Sequence, residues 1–115
     1  MKILNINSYY FSSSVHRQLQ LALRSDKEID AISYVPLARG YVARPECQYK
    51  PEKRVVVKEC YNERDRYIFH IKHWKIYKNV IATLNVPSYD LIHAHSLFSN
   101  GYIAMKLNKK FGIPF

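Results

Sequence analysis

Two histidines one residue apart, His93 and His95, stand in the stretch Leu91-Ile92-His93-Ala94-His95-Ser96-Leu97-Phe98-Ser99-Asn100-Gly101. On an extended strand alternate residues share a face, so both imidazoles point the same way. A histidine pair can hold a metal with a third ligand, donate to a hydroxyl or phosphate, or act as a base near neutral pH. Spacing supplies no third ligand. Asp90 falls on the other face of the strand, and nothing brings His70 and His73 to His93. The expectation is no metal site, a hydrogen-bonded His93 buried under a crevice, and His95 at the rim. Ser96, Ser99 and Asn100 cluster where the strand should end, and Asn100-Gly101 opens a helix. Glycine there permits the close approach of a ligand, or simply a tight turn.

A second candidate is the loop Ser8–Ser14, between a first strand and a first helix. Free backbone N–H groups and the helix dipole make such a loop a natural anion cradle. Ser12, Ser13 and Ser14 would line it, with His16 just inside the helix; the alternative is that the serines only cap the helix. No glycine-rich phosphate-binding pattern is present, so a standard dinucleotide or P-loop site is unsupported. A third candidate is Lys72, Lys75 and Lys78, with Trp74 and Tyr77 nearby, which could meet anionic lipid or nucleic acid or simply be a solvated helix face.

The elements that must position these residues alternate. Lys2–Asn7 reads as a first strand, and Val15, Leu19, Ala22 and Leu23 recur at helical spacing through Arg24. Ala31–Pro36 reads as a second strand closed by its proline. Leu37–Lys53, with Pro45, Pro51, Arg39, Arg44, Tyr41 and Tyr49, reads as a long irregular excursion. Arg54–Cys60 is a third strand. Tyr67, Ile71, Trp74, Tyr77, Ile81 and Leu84 predict a long helix over Arg64–Leu84 with these residues on the sheet. Lys72 and Asn79 then fall on the opposite side, Lys75 on the flank and Lys78 at the apolar edge. Leu91–Ala94 is a fourth strand, and Tyr102–Phe111 a helix ended by Gly112. The pattern predicts an α/β fold, a Rossmann-like parallel sheet with helices on both faces. Ligands of such sheets sit at the carboxyl ends of the strands, where the His93–His95 turn falls.

The chain has 115 residues, enough for one domain, with 18 Lys+Arg against 9 Asp+Glu and a net charge of +9. That excess favours polyanionic partners. Cys47 and Cys60 form no metal-binding or redox pair and read as reduced thiols. No signal peptide and no membrane-spanning run are present, and a cytoplasmic location is expected. Ile113-Pro114-Phe115 looks like the start of a further strand, so the sheet is expected to be incomplete at its C-terminus and the chain to be a fragment.

Tyr89-Asp90-Leu91-Ile92-His93-Ala94-His95, Gly101-Tyr102-Ile103-Ala104, Leu107 and Lys110-Phe111-Gly112-Ile113-Pro114 together resemble the N-terminal domain of family 4 retaining glycosyltransferases. Met1-Lys2-Ile3-Leu4 and the polar loop before the first helix fit as well. The resemblance covers residues 1–115, most specifically 89–114. It implies one half of a two-domain GT-B arrangement, in which this domain binds the acceptor and a C-terminal domain binds the nucleotide-sugar donor. The implied function is transfer of a sugar to a cell-surface polysaccharide or lipid-linked acceptor, with this chain inactive alone and no cofactor in this domain. The implied acceptor- or phosphate-binding residues are Ser12, Ser13, Ser14, His16, His95, Ser96, Asn100 and Gly101. No catalytic residue is identified, His95 being the nearest candidate. The family's paired glycines in the first loop are absent. Many relatives dock on the inner face of the membrane through basic, aromatic-bearing helices, which makes Lys72, Lys75 and Lys78 the expected membrane-facing set.

Two other classes compete. A small basic module binding nucleic acid or anionic lipid without catalysis would show an exposed basic face with stacking aromatics. No recognised nucleic-acid motif appears, and nucleic acid is the less expected partner. A phosphate-accepting receiver domain lacks its acidic cluster.

Overall fold

The computed structural model describes residues 1–48 and 53–115. Tyr49 and Pro51 of the expected excursion lie outside them. The strands are β1 (Lys2–Ile6), β2 (Asp30–Ala38), β3 (Val55–Tyr61) and β4 (Leu91–Ala94). The helices are α1 (Ser14–Ser25), α2 (Phe69–Thr83) and α3 (Ser99–Phe111), with single 3-10 turns at Pro45–Cys47, Glu63–Tyr67 and Val86–Ser88.

All strand pairs are parallel, in the order β3-β2-β1-β4. The α1 crossover lies on one face, and α2 and α3 lie on the other. This is a Rossmann-like α/β fold, as the alternation of elements predicts. From β1 the chain steps outward to β2 and β3, then returns over the second face to β4 on the far side of β1. The strand order therefore reverses between β1 and β4, and a crevice must open there at the carboxyl ends.

The larger core lies between the sheet and α2 and α3. Leu4, Ile6, Tyr34 and Ile92 meet Ile76 and Val80 of α2 and Ile103, Ala104 and Leu107 of α3. The core on the α1 face is smaller, with Tyr10 and Phe11 of the first loop packing on Val35 and Leu37 of β2 and Val55 of β3. Burial on α1 centres on Gln20, while Val15 is 64% exposed and Leu19 and Ala22 also face solvent.

Two sequence expectations change. Pro36 does not close β2 but sits inside it. Ser33 N donates to the Arg54 carbonyl on the β3 side, so by alternation the nitrogen of Pro36 faces the β1 side. β1 pairs no further than Tyr34, so no ladder bond is lost there.

The long helix is also interrupted and turned. Ile68 is extended (φ −123°, ψ 96°), which separates the Glu63–Tyr67 turn from α2. The buried face is His73, Ile76 and Val80, whereas Tyr67, Ile71 and Trp74 are exposed, Trp74 to 58%. Apolar residues surround α2, so spacing alone does not choose a face, and the break at Ile68 removes Tyr67 from the helical phase.

After α3, Gly112 takes the left-handed conformation (φ 73°) that a helix-ending glycine permits. The Pro114 carbonyl then accepts from Ile92 N at 2.9 Å, bringing the tail alongside β4. No described helix is long and apolar enough to cross a membrane.

Candidate functional site at the β1/β4 divergence

The site forms where the loops after β1 and β4 part. Asn5 pairs with His93 in register, and His95 N, just past the end of β4, donates to the Ile6 carbonyl, so both histidines are held at the carboxyl end of β1. The imidazoles of His93 and His95 lie on one side with ring centres 4.4 Å apart. From α1, His16 reaches the same place, 5.7 Å from His95, with Tyr9 6.4 Å beyond it.

Their enclosure is the reverse of the sequence expectation. His93 is exposed, although its Nδ1 is hydrogen-bonded to Asn5 Oδ1 at 3.0 Å, while His95 is the more enclosed. The cause is the placement of α1, which packs over β2 and leaves the β4 edge of that face open. His95 Nε2 is buried without a partner among the described residues. Burial, with some help from His93 and His16, pushes the His95 pKa down to about 4, and burial also lowers that of His16. His95 is therefore neutral at neutral pH.

A row of buried polar groups runs under the histidines, across the α1 face. Asn5, Gln20 and Ser33 are each no more than 2% exposed. Gln20 Nε2 donates to the Ala31 carbonyl, Ser33 Oγ donates to Gln20 Oε1, and Asn5 Nδ2 donates to Ser33 Oγ. Asn5 then meets His93. Sequence reading missed this row, because an asparagine in an apolar strand signals nothing until the register places it beside a histidine.

The serine loop is held from below. Tyr10 is fully buried, and Ser8 N donates to Asn100 Oδ1, tying the first loop to the start of α3. Ser13 caps α1 by accepting from Val15 N at 3.3 Å, while Ser12 and Ser14 are exposed. Asn100 is 1% exposed, and its Nδ2 has no partner among the described residues.

Gly101 has a local purpose. A Cβ there would stand 3.1 Å from the Ser96 carbonyl, which accepts from Gly101 N. The close approach is thus to the chain's own backbone, and the tight-turn alternative describes it. Ser96 Oγ also accepts from Asn100 N at 3.4 Å, so Ser96 satisfies the first turn of α3.

Beside the histidines lies an open groove of about 420 Å³, lined by Ile92, His93, Ala94, His95, Ser96, Leu97, Gly101 and Phe115. It adjoins an apolar hollow walled by Phe69, Phe98, Tyr102 and Met105. His73 supports that wall from within, stacking on Phe69 with ring centres 3.9 Å apart and bonding the Phe69 carbonyl and Ser99 Oγ. Among the described residues no three His, Cys, Asp or Glu side chains are grouped so as to hold a metal ion.

The lysines of α2 do not act as one patch. Lys75 is paired with the Asp65 carboxylate at 2.7 Å, and Lys72 is half-buried over the Tyr61 ring. Lys78 alone of the three is exposed, over Trp74 at 5.8 Å. The turned helix explains why Lys72 and Asn79 are half-buried rather than outermost. Asn79 accepts from the Tyr34 hydroxyl.

The arrangement can bind an uncharged polar ligand. It offers imidazole rings, serine hydroxyls and an adjoining apolar wall. Compared with known proteins, the chain matches no family model, no curated protein and no solved structure.

Proposed function

We propose that this chain is the acceptor-binding domain of a sugar-transferring enzyme, holding a sugar or lipid-linked acceptor at the β1/β4 divergence. The observation that carries the reading is the convergence of His16 with His93 and His95 at the carboxyl ends of the strands, where the strand order reverses between β1 and β4. Hydrogen-bonding groups beside an apolar wall suit a sugar ring, whose hydroxyls need directional partners and whose C–H faces need apolar contact. The sequence resemblance of residues 89–114 points the same way. In this reading a nucleotide-sugar donor sits on a second domain facing the crevice. This domain's part is to align the acceptor hydroxyl with the anomeric carbon, which is catalysis by positioning.

The alternative, a basic module for nucleic acid or anionic lipid, draws on the net charge of +9 and on exposed Trp74 beside Lys78. Titration calorimetry of the purified chain separates the two. The probes are neutral oligosaccharides, a polyprenyl-diphosphate-linked sugar in detergent, single-stranded RNA, and vesicles containing phosphatidylglycerol. The expected result is saturable binding of a sugar probe, weakened about tenfold by His93→Ala or His16→Ala, the loss of roughly one charge-free hydrogen bond. Binding of RNA or vesicles alone, falling steeply with salt, would reject the acceptor reading.

A further inference from the structure

We propose that Gln20, acting through Ser33 and Asn5, fixes His93 as the Nδ1–H tautomer, so that Nε2 offers its lone pair to a ligand hydroxyl in the groove. The choice of ligand rests on the acceptor reading; the tautomer does not.

The row has a direction, and it is set at its far end. The Ala31 carbonyl can only accept, so the Gln20 amide must turn its nitrogen toward it, at 3.1 Å. That leaves Oε1 facing Ser33, whose hydroxyl gives its one proton to Gln20 at 2.5 Å. Ser33 Oγ can then only accept from Asn5, and does so from Nδ2 at 3.5 Å. The Asn5 amide is thereby turned with Oδ1 toward β4, where it meets His93 Nδ1 at 3.0 Å. An amide oxygen cannot donate, so Nδ1 must carry the proton. A neutral imidazole has one N–H, and Nε2 is left bare.

Reversing the row would set Gln20 Oε1 against the Ala31 carbonyl, two acceptors face to face. Gln20 and Ser33 are 2% exposed and Asn5 1%, so water cannot relieve such a mismatch. The tautomer of an exposed histidine is thus decided by a carbonyl on a strand two positions away in the sheet.

The consequence concerns the ligand. His93 lines the groove beside His95 and Ser96. A bare Nε2 seeks a donor, and an alcohol O–H supplies one, whereas a fully ionised phosphate does not. His93 is then the residue that touches the ligand, and Gln20, Ser33 and Asn5 are positioning residues. This choice would let the site favour a sugar hydroxyl over a phosphate while the imidazole is neutral.

Long-range proton–nitrogen correlation spectra of the ¹⁵N-labelled, ligand-free chain at neutral pH read the tautomer directly. The expected His93 signature is a pyrrole-like Nδ1 and a pyridine-like Nε2. Gln20→Met removes the anchor and frees Asn5 to turn, which should move the tautomer ratio toward Nε2–H by roughly fivefold. Ser33→Ala cuts the row while leaving Gln20 on Ala31 and should act the same way, so it decides the matter if Gln20→Met does not fold. A native His93 protonated on Nε2, or an unchanged ratio in folded Ser33→Ala, overturns the relay. Adding the sugar probe to the native chain should shift the His93 Nε2 resonance. A correct tautomer with no response to any sugar would keep the relay and overturn the ligand assignment.

Discussion

Replacing Tyr10 by alanine should cost about 3–5 kcal/mol, the range for losing a fully buried aromatic side chain together with the cavity it leaves. Tyr10 is 0% exposed and packs with Phe11, Val35, Leu37 and Val55 in the smaller of the two cores. That core leans on the first loop, because the middle of α1 buries Gln20 rather than an aliphatic cluster. A total stability of about 5–15 kcal/mol would be cut by a large fraction. The effect reaches the site, since Tyr10 lies between β1 and the serine residues that lead into His16. Urea denaturation measures it, with exposed Ser12→Ala as a near-neutral comparison. A loss below about 1 kcal/mol for Tyr10→Ala would mean that the first loop is not held in this way.

Acidification should destabilise the fold well before the carboxylates titrate. His16, His73 and His95 are each held below their ordinary pKa of 6.5, chiefly by burial, with His95 pushed down to about 4. Protonation thus comes first to the unfolded chain. Stability is complete above about pH 6.5 and declines as pH falls, until the folded imidazoles also take up protons, near pH 4 for His95. The His95 contribution alone amounts to about 2–3 kcal/mol after allowance for its partial exposure. Asp65, whose carboxyl Lys75 holds below its ordinary 3.8, enters only at lower pH. The urea midpoint should therefore fall between pH 7 and pH 5, with a shallower slope in His95→Gln. A flat or rising midpoint across that interval would contradict the burial assigned to these rings.

The parts of the fold that could be read in the sequence are those governed by local pattern. β4 runs from Leu91 to Ala94 as its apolar run implies, and Gly112 ends α3 with the positive φ that such a glycine serves. The alternation of elements gave the parallel sheet, and strand periodicity put both histidines on one side. What escaped depends on partners distant in the chain. The enclosure of His93 and His95 follows from where α1 lies over the sheet. The buried face of α2 is chosen by β3 and α3, not by its own apolar residues, which occur all round. The row from Gln20 to His93 exists only once β1 is flanked by β2 and β4, and Asn5 alone carries no hint of it. Pro36 looked like a terminator because proline lacks a donor, yet β1 has already ended where that donor would be needed.

The central claim is that the β1/β4 crevice receives a sugar acceptor. Its most direct test is a titration of the ¹⁵N-labelled chain with the tightest-binding oligosaccharide of the calorimetric panel, following amide and imidazole resonances together. Saturable shifts are expected, concentrated at His16, His93, His95, Ser96 and Gly101 and in the loop from Ser8 to Ser14. Shifts centred on Trp74 and Lys78, or none at saturating sugar, would contradict it.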